Sequence, residues 1–430
     1  MRSKGNPDRL SDGKLLSDFS SGTDGEIGYR LSLTLLVIAL YAGSADLSRI
    51  VSGAPSVELR SLIGVPALMA SSITVLSSKR HPRRSGGSQI FMGSLTGWFI
   101  FVAASAYWAP SSEYMSTYIL DVLWLGAFAL AGYAIARRAT VRELRYLALL
   151  IFALGMLFAG EALATNAVGH GRFSAFGGGP NVFVRVVVLA CIFGVMLFFE
   201  ERRLIFLATA PLLLTTAILS GSRGGLVALF GAVLLFLIVQ LRSAKKLFRA
   251  LMCLGAVALI VIGVVWRVPG AAQWVESRFG DTLLGEEVYT SGRDVLFQAA
   301  VELFQANPLF GAGLTAFPNR YGGGYPHNIF LESLASTGIL GTLLLCGAVV
   351  SGLSVALRQS RQNRHATALL IAVVFLILAA QFSGGLYDSR LIWFLMPFVL
   401  VDDSRSTSLH ATAGHPPELA SGRKRQSVSA

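Results

Sequence analysis

Apolar stretches about the length of a bilayer crossing recur along almost the whole chain, near residues 29–46, 59–77, 90–108, 115–136, 146–165, 181–199, 204–220, 224–241, 250–266, 328–352, 366–386 and 391–402. A lipid-spanning helix needs roughly 20 mostly apolar residues. The spacing therefore predicts an all-α polytopic membrane protein of about twelve transmembrane helices, the last short enough to be partly re-entrant. Composition agrees: of 430 residues, 53% are hydrophobic and only 14% charged, more apolar surface than one soluble core can bury. The expected organisation is a polar segment at 1–28, one membrane domain at 29–402 and a polar tail at 403–430. The first apolar run comes late for a cleaved signal peptide and reads as a signal anchor. Cys191, Cys253 and Cys346 all fall inside apolar runs far apart, which points away from a disulfide framework or a metal site.

The formal charge of +12 would suit nucleic acid if it were clustered on a soluble face, but its distribution excludes that. Basic connections alternate with nearly uncharged ones: KRHPRR (79–84), RRATVRELR (137–145), ERR (201–203), RSAKKLFR (242–249), RQSRQNRH (358–365) and RKR (423–425). Together with the N-terminal segment, this set holds every lysine. The positive-inside rule places it, with both termini, in the cytoplasm. The opposite set then faces outward. It contains a glycine-rich loop near 166–180 and one long connection from Arg267 to Pro326, far longer than a usual linker. Within that connection, Asp294–Ala306 reads as an amphipathic helix with Val295, Leu296, Ala299, Leu303 and Phe304 as its apolar stripe, stopped by Asn307-Pro308.

Charged side chains in or beside membrane helices usually face a cavity or a partner. Here they gather towards the outer boundary. Arg172 lies in the glycine-rich loop and Arg185 one turn into the sixth apolar run, on the same face as Asn181. Arg223 stands in SGSRGGL, and Arg293 opens the amphipathic helix. Guanidinium forks match phosphate oxygens, so such a set beside a bilayer suits a lipid-linked phosphate or diphosphate. His327 and Asn328 open the tenth run, with Glu332 a turn further in. A helix N-terminus disfavours imidazolium, which leaves His327 fit to accept a proton. His81, His365, His410 and His415 fall in polar cytoplasmic segments and are expected to be solvated, while His170 faces outward.

Three stretches, read together, resemble the O-antigen ligase and Wzy-type polymerase superfamily of bacterial envelope glycosyltransferases. His327-Asn328, nine residues and Gly338-Ile339-Leu340-Gly341 are similar to the ligases' H[NSQ]-x9-GxxG signature. SGSRGGLVAL (220–229) is similar to the family's arginine at the start of a core helix. GRDVLFQAAVELFQANPLFGAG (292–313) resembles its arginine, amphipathic helix and Pro-Leu-Phe/Leu-Gly-x-Gly ending, with Phe297 where the family often has Leu or Trp. A weaker likeness is GRFSAFGGGPN (171–181). The resemblance spans roughly residues 171–342.

The resemblance implies a glycan carried on undecaprenyl diphosphate and transferred at the periplasmic face of the bacterial inner membrane. The acceptor would be lipid A-core, a growing polysaccharide or a protein. Arg223 and Arg293 would hold the diphosphate, with Arg172, Arg185 and Asn181 as further binding residues. His327 would take the acceptor's proton, and Asn328 and Glu332 would support it or bind sugar. Arginines neutralising the diphosphate would leave no need for a metal or other cofactor. Twelve helices with both termini inside also describe a transporter or flippase of lipid-linked glycan, but no duplication relates the two halves.

Overall fold

The computed structural model describes residues 12–399, apart from 45–46, 51–54, 56, 79–85, 167–170, 241–243, 285–291 and 362. The KRHPRR connection, His170 and the tail lie outside the described residues. Among those described there is no β-strand, and the chain runs as α-helices joined by short turns. In order these are α1 (Asp12–Tyr41), α2 (Leu47–Ile50), α3 (Leu59–Ser77), α4 (Gly86–Ala104), α5 (Met115–Ala136), α6 (Val141–Thr165), α7 (Pro180–Glu201), α8 (Ile205–Ala208) and α9 (Ala210–Leu219). There follow α10 (Arg223–Gln240), α11 (Ala244–Arg267), α12 (Ala271–Leu284), α13 (Arg293–Ala306), α14 (Ala316–Arg320), α15 (Ile329–Ser360), α16 (Arg364–Ala379) and α17 (Arg390–Val399). Helix thus begins at Asp12, inside the N-terminal segment expected to be polar.

Seven helices among the described residues are long and apolar enough to cross a membrane: α3, α4 with the turn that extends it to Tyr107, α5, α6, α7, Leu247–Arg267 of α11, and α15. Ile205–Leu219, Arg223–Ile238 and α16 are apolar but shorter. At 1.5 Å per residue, the 16 residues of α16 reach about 24 Å, short of the ~30 Å hydrocarbon core. Protein surrounds most of that helix, since Ala368 to Val373 are all buried. The outer helices show the opposite pattern. In α3, Leu62, Val65, Met69, Ile73 and Leu76 are all exposed and recur at helical spacing, as a lipid-facing stripe requires.

The bundle closes on α4, α5, α15, α16 and α17. Trp98 and Trp393 are fully buried with ring centroids 5.5 Å apart, and the Trp98 indole donates to Ser333 Oγ at 3.2 Å. A buried indole N–H needs such a partner, and this one ties α4 to α15. On the opposite side of the molecule from the arginine set, His365 is buried against Glu200, with Nε2 and a carboxylate oxygen 2.6 Å apart. That corrects the expectation of a solvated imidazole: the N-cap Asn363 draws His365 into the bundle.

The long connection at 267–326 is mostly helical, comprising α12, α13 and α14. Helix α13 lies along α15. Its packed face is Leu296, Ala299, Ala300 and Leu303, set against Phe317, Tyr321, Leu331 and Ala335, while Val295 points outward and is 59% exposed. The apolar stripe is therefore rotated by about one position from the expected one.

A candidate functional site at the start of α15

The start of α15 is fixed by its N-cap. Asn328 adopts extended backbone, and its side-chain oxygen accepts from the Phe330 and Leu331 amides at 3.0 and 3.1 Å. These are two of the orphan donors at a helix start. Its amide nitrogen points to the Gln381 carbonyl, and the Ile329 amide donates to the Ala380 carbonyl at 3.2 Å. The α15 entrance is thereby pinned to the end of α16. Asn328 is committed to this capping, which leaves His327 as the free ring at the mouth.

His327 carries φ +57°, a left-handed conformation that is costly for a residue of its size. Its ring meets the Tyr325 ring edge to face at 4.7 Å, and Tyr325 in turn packs on Gly385. Nδ1 of His327 is buried with no hydrogen-bond partner among the described residues. Burial, together with the positive charges of Arg293 and Arg185, lowers the imidazole's pKa, against a smaller opposite pull from Asp388. The ring is thus held neutral. Burial also pushes the Tyr325 phenol up to about 12, so its hydroxyl acts only as a hydrogen-bonding group at neutral pH.

A second group of residues forms around the SGSRGG turn between α9 and α10. Arg172 donates from Nε to the Ser220 carbonyl at 2.9 Å and from its second nitrogen to Asn181 Oδ1 at 3.3 Å. Ser222 Oγ donates to the same Asn181 oxygen at 2.8 Å. Asn181, near the start of α7, thus joins the glycine-rich loop to the turn that presents Arg223. Burial lowers the Arg172 guanidinium to about 10, with Arg278, Arg293 and Arg223 repelling it. Burial and Arg223 likewise lower Arg293. Like charges collected this way make a site that an anion would relieve.

Arg278 is the member that sequence reasoning missed. It sits in α12, four residues after Trp274, so the two share a helix face. Both cover Gly221, whose φ is +61° and whose missing Cβ would lie 2.8 Å from the Trp274 ring and 3.3 Å from Arg278 Nε. That nitrogen is buried with no partner among the described residues. The available signal was an arginine one helical turn beyond a tryptophan inside the long 267–326 connection.

Two of the expected binding residues lie below the mouth. Arg185 is 4% exposed and donates to the Asp388 carbonyl at 2.9 Å, the Ser383 carbonyl at 2.5 Å and Ser383 Oγ at 2.9 Å. It clamps the 379–389 turn, and its charge reaches His327 from beneath. Glu332 is 7% exposed, with one carboxylate oxygen lacking a partner among the described residues. The structure therefore brings together Arg172, Asn181, Arg223, Arg278 and Arg293, sets His327 within the field of Arg293, and keeps Arg185 and Glu332 buried behind them.

The glycines of the histidine signature have a defined task. Gly338 breaks α15 with φ +61° and ψ −160°, a region essentially reserved for glycine. Into the break comes the Pro308–Gly313 turn that follows α13. Ile339 donates to the Pro308 carbonyl at 2.8 Å, Ala312 to the Ala335 carbonyl at 2.8 Å and Gly313 to the Ser336 carbonyl at 3.0 Å. A Cβ on Gly338 would fall 2.5 Å from the Leu309 carbonyl, and one on Gly311 would fall 2.4 Å from Thr337 N. The PLFGAG and GxxG stretches are two halves of one backbone joint.

Residues 208–346 match the family model described as O-Antigen ligase (Wzy_C). That stretch contains Arg223, Arg278, Arg293 and His327, whereas Arg172, Asn181 and Arg185 precede it. No curated protein matches the chain. The joint of PLFGAG with GxxG, the His327 mouth and three of the four gathered arginines all lie within the matched stretch, and that match supports the likeness to the O-antigen ligase and Wzy-type superfamily over this part of the chain.

Proposed function

We propose that the protein transfers a glycan from an undecaprenyl-diphosphate-linked donor to an acceptor sugar, at the periplasmic face of a bacterial inner membrane, with about twelve helices and both termini in the cytoplasm. The observation that carries this reading is a buried His327 Nδ1 with no hydrogen-bond partner among the described residues, within the field of a group of mutually repelling arginines. The donor's polyprenyl tail stays in lipid while its diphosphate sits among Arg223, Arg278 and Arg293, with Arg172 holding the turn and contributing its field. An acceptor hydroxyl attacks the anomeric carbon as the bond from that carbon to the phosphate oxygen breaks. The proton passes to His327, and the electron pair leaves with the diphosphate, where the arginines stabilise the charge. One displacement of this kind inverts the anomeric centre. The guanidinium charge replaces what a divalent metal would supply, so neither a metal nor a cofactor is needed. Arg185 and Glu332 support the site from behind, and Asn328 sets the His327 backbone.

The test is transfer by purified protein in lipid, given a lipid-diphosphate glycan and an acceptor. His327→Ala, Arg223→Ala and Arg293→Ala should each abolish product at normal membrane levels. Full activity of His327→Ala would sink the mechanism, and movement of donor between leaflets with no new glycosidic bond would identify a carrier. Ligase and polymerase separate in a deletion strain. Loss of long chains from lipid A with free polymer accumulating marks a ligase, and single-repeat caps mark an O-antigen or exopolysaccharide polymerase.

A further inference from the structure

A groove of about 710 Å³ opens beside the C-terminal end of α13, lined in part by Trp108, Asn307, Ala312, Ala316, Asn319 and Arg320. That volume lies within the range of small-molecule sites. Its walls are rigid: the Trp108 indole donates to the Gly311 carbonyl at 3.2 Å, and Thr315 Oγ1 donates to the Pro110 carbonyl at 3.1 Å. The Trp108 ring is braced by Phe101 and Phe310 at 5.9 and 6.3 Å and remains 38% exposed.

We infer that this groove is a saccharide subsite for sugar units of the glycan remote from the reacting end. Its chemistry is amide and aromatic. The Asn307 and Asn319 side chains are exposed, and each offers two donors and an acceptor, as paired hydroxyls require. An indole face suits the C–H surface of a pyranose, and Ala312 and Ala316 add only small side chains to the lining. The groove's cation is already neutralised, because Arg320 bonds Glu302 at 3.1 Å. A phosphate-bearing headgroup would need that charge free, whereas a neutral polyol does not. Geometry connects the groove to the site. The 14 residues of α13 set its two ends, Arg293 and the groove, about 20 Å apart.

The inference rests on the glycan-transfer reading but is tested apart from it. The probe is phosphate-free oligosaccharide, cut from the producing cell's own surface polysaccharide and titrated into full-length protein in lipid nanodiscs, with binding read by saturation-transfer NMR. Wild type and His327→Ala should bind alike. The double variant Asn307→Leu/Asn319→Leu should bind roughly tenfold more weakly with its unfolding midpoint unchanged, and Asn319→Leu alone should fall between. No binding by wild type, or equal binding by the double variant, overturns the subsite. So does displacement of the saccharide by short-chain phosphatidylglycerol, which would make the groove a lipid site. Absent transfer with saccharide binding intact would instead count against the transfer reading alone.

Discussion

The His327 imidazole is set for its task by the charges around it, and that gives a signed pH prediction. Because burial, Arg293 and Arg185 lower its pKa, the ring loses its proton at lower pH than an ordinary histidine. The acidic limb of kcat/KM should therefore lie on the acid side of that of an unperturbed histidine. Asp388 is the one neighbour that favours imidazolium, so Asp388→Asn should move the limb to still lower pH, and a pH–rate series on the two proteins checks the direction. Arg278 supports a second prediction. A charge-assisted hydrogen bond is worth about 1.5–3 kcal/mol, so Arg278→Ala should raise the donor KM by roughly 10- to 100-fold, with Arg278→Lys recovering part of it. Unchanged donor KM in Arg278→Ala would remove the residue from the site. His327 was legible in the sequence as a polar residue at a hydrocarbon boundary, and Arg223 and Arg293 as helix-opening arginines in an outer layer. Arg278 was not, because its place beside the SGSRGG turn comes from packing on Gly221 across a gap in sequence that no local spacing encodes. Arg185 shows the converse: its position predicted a ligand contact, but backbone carbonyls of the 379–389 turn occupy the donors of its two terminal nitrogens.

At the scale of elements, the backbone joint decides how α13 meets α15. A lone glycine in an apolar helix reads from sequence as a close packing contact. Gly338 is instead a break that exchanges helical hydrogen bonds for bonds to residues 308–313. The sequence displayed both halves of this joint as motif pieces, yet their pairing depends on a tertiary approach of backbone to backbone. Gly338→Ala must place a methyl 2.5 Å from the Leu309 carbonyl and force a side-chain residue to φ +61°. Strain and overlap together should cost at least about 3 kcal/mol. The expected result is a markedly lower unfolding midpoint in detergent, with Gly311→Ala similar because its Cβ meets the same backbone. By contrast Gly255→Ala, with open space around it, should leave the midpoint within experimental scatter. If all three variants behave alike, the joint is not what holds α13 in place.

For the whole molecule, α15 ties the site to the membrane. Beyond the Gly338 break, residues 339–360 run about 33 Å, enough to cross the hydrocarbon. The entrance carries His327 and the capped Asn328, and the other end carries Arg358 and Arg361, with Arg364 opening α16. If α15 spans, these ends lie on opposite sides, and the basic one belongs in the cytoplasm. The arginine set and the saccharide groove then share the outer side with His327, since α13 is joined to α15 within its first few turns. Residue accessibility tests this directly. In a protein whose three cysteines are replaced by serine, Gln305→Cys on the exposed face of α13 should react with a membrane-impermeant maleimide in intact spheroplasts. Arg361→Cys should react only after the membrane is permeabilised. The reverse pattern would place His327 and its arginines in the cytoplasm. A donor displayed on the outer leaflet could then not reach them, and the transfer reading would fail at the level of topology whatever the chemistry of the site.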